Sequence, residues 1–414
     1  MAIKYGVSPW IDSFPRSRRP DHPRFNRAAA RNQSSTAVAI VGGGLSGCCT
    51  AYALAAAGVQ VILFEADRIG SGGSGRSAGV LRGEASSSFR ELDERHGRRA
   101  ARAMFESSRR AVLDLAATAK RLGIKADVEV NDALRIAPPF SLEDKLFARE
   151  VAARREAGLE AVPLRAAAAS REAAVERVTA AVRLHDWGQC NPYRLCLGFA
   201  SAAADRGATI YERSPVRRIK VKRRHVEAHV SDAVIRADTI IICTGEPTDL
   251  FRPLKRHMRL DERYAVLTER MPAAVRKQVA SRSPVLTDTD TPSHVVRAMD
   301  DGHLLVTGAD QPRTKPKGRD KVLVQRTGQL MYELLRLYPA ISGLMPEYGW
   351  DIPMAVTADG AMYAGPHRNY PRHLFAWATG HDPAHAFLAS RILLRHVTGE
   401  ATKDDGYFAF TRGR

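Results

Sequence analysis

Gly42, Gly44 and Gly47 stand in the spacing G-x-G-x-x-G, and Glu65 follows near the end of the next apolar run. These residue types suit one kind of chemistry, the cradling of a dinucleotide. Gly42 permits a tight turn, Gly44 lets backbone approach a pyrophosphate without a Cβ between, and Gly47 lets a helix lie close on a sheet. A carboxylate at the position of Glu65 accepts hydrogen bonds from ribose hydroxyls.

The flanking elements must bring these residues together. Ala37–Val41 reads as a short buried strand, Leu45–Ala57 as a helix rich in small residues, and Val59–Phe64 as a second buried strand. Strand, glycine loop, helix and strand make a βαβ unit whose helix N-terminus offers free N–H groups and a positive dipole end to phosphate. A glycine-rich surface turn would leave the apolar flanks and Glu65 without a purpose. A second glycine and serine stretch, Arg68 to Gly79, follows soon after the acid. A nicotinamide dinucleotide has no need of it. A flavin does, because small residues let backbone run against its phosphates and ring.

At this point the sequence resembles the D-amino-acid oxidase-like family of FAD amine oxidoreductases, which includes glycine, sarcosine and gamma-glutamylputrescine oxidases. The "GSGGSGRSAG" loop is similar to the family's SGRNAG-type segment. Further segments match in order: the helix opening at "NPYRL" (191–195), "RGATIYERSPVRRI", "ADTIIICTGEP" (237–247), "TADGAMYAGP" (357–366) and "LFAWATGHDPAHAF" onward to about residue 400.

The resemblance implies an α/β fold. A Rossmann-like FAD-binding domain of the glutathione-reductase type would be joined to an α+β substrate domain containing a mainly antiparallel sheet. Residues 36–95, 188–250 and 350–414 would form the FAD-binding domain. Residues 96–187 and 251–349 would form the substrate domain, and 1–35 a basic arm. The cofactor set implied is Gly42, Gly44, Leu45, Ser46, Gly47, Glu65, Ala66, Ser74, Gly75, Arg76, Ser77, Ala78, Gly79, Val216, Thr244, Gly245, Gly380, His381 and Asp382. Asp382 and Pro383 read as the N-cap and first residue of the last helix, with Thr379-Gly380-His381 against the flavin. Asp382 departs from the small residue the family often has there.

Three residues are expected to act on substrate: Arg297, before the Asp300-Asp301-Gly302 turn and facing the flavin; His381, of the TGH segment; and Arg82, after the second glycine loop. Structural hydrogen bonding for His381 and surface roles for the arginines are the alternatives. Relatives that tether flavin covalently use a cysteine shortly before the late segment or a histidine in the early loop. Residues 350–358 hold no cysteine, and Arg76 occupies the loop position, so the FAD is expected to be non-covalent.

The function implied is FAD-dependent oxidation of the C–N bond of an amine or amino acid, with oxygen or another acceptor reoxidising the flavin. A modified tRNA nucleoside as substrate, or a flavin-bearing subunit without its own turnover, are the alternatives. No metal-ligand cluster, P-loop or Ser-His-Asp set emerges, and no metal is expected. The 414 residues carry a net charge of +18, with basic residues scattered through the helices, which reads as a solvated basic surface. No apolar run is long enough for a membrane span. The five cysteines form no CxxC pair, which fits a reducing, cytoplasmic setting without a disulfide framework. The first 35 residues are rich in Pro and Arg without an apolar leader core, and Trp10, Ile11 and Phe14 could anchor them along the body.

Overall fold

The structure, a computed structural model, describes residues 2–137, 144–176, 178–279, 285–290 and 292–412, with the side chains of 144–146 left aside. Met1, Gly413 and Arg414, the outermost positions of the expected arm and last segment, lie outside the described residues.

Two sheets organise the chain. In the first, strands run in the order Tyr363–His367, Tyr370–Trp377, Ala233–Gly245, Ser35–Val41, Val61–Phe64 and Thr209–Tyr211. The last five of these pair in parallel, and the hairpin Val216–Val221/Val226–Val230 is attached to Ala233–Gly245. A parallel sheet covered on both faces asks for near-continuous apolar strands. Ala39, Ile40, Ile62, Leu63, Ile240, Ile241 and Ile242 meet this, each fully buried. The helix Leu45–Ala56 is apolar on every side because it is covered on every side. Cys48 and Cys49 are buried there as small packing residues, Cys48 Sγ lying 3.7 Å from Cys196 Sγ, and all five cysteines are free thiols.

The second sheet runs in the order Lys4–Tyr5, Pro346–Thr357, Met258–Thr268, Leu304–Pro312, Val295–Ala298, Val285–Asp288, Glu129–Ala137, Ala180–Gln189 and Val80–Leu81. Two of these pairings are parallel, Lys4–Tyr5 with Pro346–Thr357 and Val285–Asp288 with Glu129–Ala137, and the others on this path are antiparallel. Its helices include Arg98–Arg121 and Arg319–Leu337. The segment boundaries set from sequence cut across this sheet. Pro346–Thr357 spans the boundary at 350, and Val80–Leu81, inside the segment 36–95, pairs with Ala180–Gln189. The physical reason is that each strand's backbone groups find their partners in the second sheet, which outweighs their nearness in sequence to FAD-side motifs.

The N-terminal arm is ordered. Ser8 caps the short helix Pro9–Asp12, Trp10 is buried, and Phe14 meets Tyr193 edge-on at 5.4 Å. Phe25 is fully buried between Phe64 and Tyr211, at 5.2 and 5.1 Å.

The C-terminus is fixed by a buried ion pair. Arg412 Nε and Nη2 donate to the two Asp359 oxygens at 2.7 and 2.9 Å, and His96 Nε2 lies 2.9 Å from Asp359 Oδ2. Burial alone would raise the Asp359 pKa, but the Arg412 guanidinium holds it well below the usual carboxylate range. A carboxyl whose folded pKa is depressed contributes stability above its unfolded pKa and loses it as pH falls toward the folded value. Arg412→Met strands that carboxylate and should destabilise the fold by about 3–5 kcal/mol. Thermal or urea unfolding at pH 7 checks this, and a loss below about 1 kcal/mol contradicts the buried pair.

Candidate active site

The glycine loop folds as its spacing demands. Gly42 has φ +109°, a backbone that only glycine adopts freely, and a Cβ there would lie 2.5 Å from Cys243 O. A Cβ at Gly47 would collide with Gly42 O, so the helix sits directly on the turn. A Cβ at Gly44 meets only Ser74 Oγ, at 3.1 Å. Gly44 therefore borders open space, a cavity of about 700 Å³ running between the two glycine stretches. Leu45 N donates to Ser74 Oγ at 2.7 Å, tying the helix start to the second stretch. The first intrahelical bond runs from Cys48 N to Gly44 O, so Ser46 N and Gly47 N precede it and remain for a phosphate.

Glu65 stands at the far side of this loop. Its Oε2 accepts from Gly43 N at 2.6 Å and its Oε1 from Asp67 N at 2.8 Å. Burial raises its pKa, and these backbone donors oppose the rise. An ionised carboxylate has lone pairs left for two ribose hydroxyls.

Of the expected cofactor set, Gly42, Gly44, Leu45, Ser46, Glu65, Ala66, Ser74, Ser77, Val216, Thr244, Gly245, His381 and Asp382 line this cavity. Ala78 and Gly380 line an adjoining small chamber of about 30 Å³ with Arg82, Arg263, Thr307, Ile352 and Met354. Gly47, Gly75, Arg76 and Gly79 line neither. Gly47 and Gly75 are packing glycines, Arg76 pairs with Asp351 at 3.0 Å, and a Cβ on Gly79 would strike Cys190 O. Thr379, expected against the flavin, lines the cavity too, and so do Pro215, Arg217, Thr248 and Leu250, which were not singled out from sequence. They flank residues that were, and no spacing rule marks them.

The last helix, Pro383–Thr398, begins at the small chamber. Asp382 caps it through Oδ1, 2.8 Å from Ala384 N, while its Oδ2 accepts from Arg82 N at 3.0 Å. One carboxylate thus joins the helix start to the segment carrying Arg82. His381 has φ +54°, its ring wedged between Gly73 and the Pro353 carbonyl. Burial lowers its pKa, and its carbonyl accepts from Ser77 Oγ at 2.6 Å. A neutral imidazole so placed shapes the wall between the two cavities.

Arg297 is the main correction. It is not exposed, and its guanidinium does not line the small chamber. Nε donates to Gln189 Oε1 at 2.8 Å, and Nη1 to the carbonyls of Ala78 and Cys190 at 3.0 and 2.8 Å. The guanidinium also lies 5.3 Å from the Trp10 ring centre. Carbonyl acceptors on the neighbouring loop outcompete the cavity for its donors. Arg82 has the opposite character: its guanidinium has no hydrogen-bond or ion-pair partner among the described residues, and Arg82 lines the small chamber. Burial and the nearby Arg263 charge pull its pKa below the usual arginine value.

Residues 37–393 match the family model described as DAO, FAD dependent oxidoreductase. The chain belongs to this family of FAD-dependent oxidoreductases. It is 26% identical over 382 residues to gamma-glutamylputrescine oxidoreductase of Escherichia coli (strain K12), covering 91% of this chain and 87% of that protein. It is 24% identical over 370 residues to the probable oxidoreductase OrdL of Haemophilus influenzae, covering 88% and 83%. Glycine oxidase from Geobacillus kaustophilus shares the fold, with a TM-score of 0.76 at 20% identity over 92% of this chain and 99% of that one.

The glycine cradle, the helix N-terminus with Ser46 N and Gly47 N left open, and Glu65 suit the FAD of this family. The arm joins this site from behind. Ser8 Oγ donates to Gly75 O, and Trp10 Nε1 donates to Ser77 O at 2.8 Å. Gly44→Val should give colourless protein, because a branched side chain fills the space the pyrophosphate needs; stoichiometric FAD in the purified variant would refute the cradle. Trp10→Phe keeps the ring and loses the donor, so FAD affinity should fall about two- to tenfold, the worth of one hydrogen bond. Fluorescence titration of the apoprotein with FAD measures this, and an unchanged dissociation constant would remove the arm from the site.

Proposed function

We propose that this oxidoreductase oxidises the C–N bond of an amine or amino acid carrying a carboxylate. The observation that carries the reading is Arg82, whose guanidinium has no partner among the described residues and which lines a chamber that shares Ser77, His381 and Asp382 with the FAD cavity. Gamma-glutamylputrescine oxidoreductase and glycine oxidase, both similar to this chain, are named for amine substrates, which supports it.

Bound FAD supplies a hydride acceptor, and the protein's share is placement and electrostatics. Arg82 would hold a substrate carboxylate through two parallel hydrogen bonds, fixing the C–H bond to be broken. Its backbone is pinned for this task. Arg82 N is held by Asp382, and two residues on, the Glu84 carbonyl accepts from His385 Nε2 at 3.2 Å. The amine reacts in its neutral form, and the resulting imine hydrolyses to a carbonyl compound and an amine or ammonia. The positive end of the helix Pro383–Thr398 favours negative charge beside the small chamber.

Anaerobic mixing with a panel of amines, followed at the flavin absorbance, tests the reading. At least one carboxylate-bearing amine should bleach the flavin. Reduction by dithionite but by no amine would instead indicate a flavin-bearing subunit without amine turnover. Arg82→Met should keep FAD and its spectrum yet slow reduction by the carboxylate-bearing amine about tenfold or more, equivalent to about 1.4 kcal/mol. Parent rates in that variant would dismiss Arg82 as the anchor. Arg297→Met should act differently, lowering FAD affinity by freeing the Ala78 and Cys190 carbonyls.

A further inference from the structure

Part of the net charge of +18 is gathered in one place. Between residues 217 and 224 the chain carries six cations, Arg217, Arg218, Lys220, Lys222, Arg223 and Arg224, and no acid. This stretch folds as the strand Val216–Val221 and the turn leading to Val226–Val230, an antiparallel hairpin attached to Ala233–Gly245. Residues paired across strands share a face of the sheet. Val226, Ala228 and Val230 are buried, so the residues alternating with them turn outward. His229 then stands between Arg218 and Val234, and Glu227 between Lys220 and Arg236. Arg372 lies beside this outer face, its guanidinium donating to the carbonyls of Asp238 and Arg223 at 3.3 and 3.2 Å.

No carboxylate lies within ion-pair distance of Arg218, Lys220, Arg223, Arg224 or Arg236 among the described residues. Two acids share the face. Glu227 has Lys222 at 3.8 Å, and Asp238 is exposed at the margin. Asp232, in the turn at the other end, pairs with Arg27 at 3.5 Å. The segment Asp249–His257 packs beside Val216–Val221 and adds Arg252, Lys255 and Arg256 against one acid, Asp249, which Arg252 meets at 3.0 Å. The helix Arg98–Arg121 is basic in a different way, with Arg102 paired to Glu106 at 2.8 Å and Arg110 to Asp114 at 3.8 Å. Charge on an edge strand blunts edge-to-edge pairing, which accounts for Arg218 and Lys220. It does not account for Arg236, two strands in, or for Arg223 and Arg224 in the turn.

We infer that this outer face is a docking surface for a phospholipid bilayer rich in anionic headgroups. Charge complementarity favours this partner, because clustered Lys and Arg are each drawn to such a surface and their attractions add. The face is a three-stranded sheet with Val221 and Val234 exposed among the cations, and long basic side chains can lay their stems on the bilayer while their heads meet phosphate. Nucleic acid fits less well. Residues 213–238 contain no Phe, Tyr or Trp on which a base could stack. A major groove admits a two-stranded ribbon, and here a third strand flanks the hairpin. Val216 and Arg217, at the base of the hairpin, line the large cavity, so the docked molecule holds that cavity close to the bilayer. Docking does not depend on which substrate the enzyme takes.

Co-sedimentation of the FAD holoprotein with vesicles tests this. One set of vesicles is phosphatidylcholine alone, the other phosphatidylcholine and phosphatidylglycerol in equal parts. The protein should bind the anionic vesicles at least about tenfold more tightly. Salt at about 1 M, where the Debye length is about 3 Å, should release it. Arg223→Gln with Arg224→Gln, and separately Lys220→Gln with Arg236→Gln, should each weaken binding at least about fivefold with FAD content and melting temperature unchanged. Two variants guard against one that does not fold. Arg102→Gln with Arg110→Gln removes the same charge from the helix Arg98–Arg121 and should leave binding at the parent level. Equal binding to the two kinds of vesicle overturns the docking surface. So does binding untouched by both hairpin variants, or weakened equally by all three, since net charge alone would then explain it. Retention of polyuridylate RNA through the same four residues, with no preference for anionic vesicles, would make the face a nucleic-acid surface and overturn the lipid assignment.

Discussion

The carbonyl oxygens of five consecutive residues, Gly75 to Gly79, are each claimed by a donor from elsewhere in the chain. Ser8 takes Gly75, Trp350 Nε1 takes Arg76 at 2.8 Å, Trp10 takes Ser77, Arg297 takes Ala78, and Cys190 N takes Gly79 at 2.8 Å. A loop of glycines and serines has little side chain to fix it and loses much conformational freedom on ordering. Here the ordering is supplied from outside, by two tryptophans, an arginine, a serine and a backbone amide. The cofactor cavity, the small chamber and the segment bearing Arg82 all border this loop. Its fixed path therefore shapes a wall of both the large cavity and the small chamber.

The same economy appears at Asp382, whose two oxygens serve a helix start and the Arg82 backbone. It recurs at Glu84, which is held by two arginines close to the residue proposed to meet substrate. Many polar groups around the two cavities hold other protein groups in place. Such support by neighbouring hydrogen bonds is what keeps a reacting geometry within tolerance.

Local constraints were readable in the sequence. Gly42 and Gly47 are dictated by backbone sterics within a few residues, so the βαβ unit, its helix start and Glu65 follow from spacing alone. The cap Asp382-Pro383 is equally local, and Trp10 and Phe14 betrayed an anchored arm by being large and apolar in a polar stretch. What stayed hidden depends on chain segments far apart. Arg297 and Arg82 look alike in sequence. Which of them faces the chamber is decided by whether carbonyls of residues 78 and 190 lie within reach, and no local pattern records that. The boundary at 350 failed for a related reason. Pro346–Thr357 is placed by its pairing with Met258–Thr268, and not by the FAD-side motifs that follow it.

The central claim is that the loop leading to Arg82 sets cofactor and substrate anchor side by side. A crystal structure of the FAD holoprotein with a bound, non-oxidisable carboxylate such as glutarate measures this directly. The account predicts a carboxylate on the Arg82 guanidinium, with the flavin ring beside the small chamber and Arg297 still on the Ala78 and Cys190 carbonyls. A carboxylate seated on Arg297, with Arg82 turned to solvent, would contradict it.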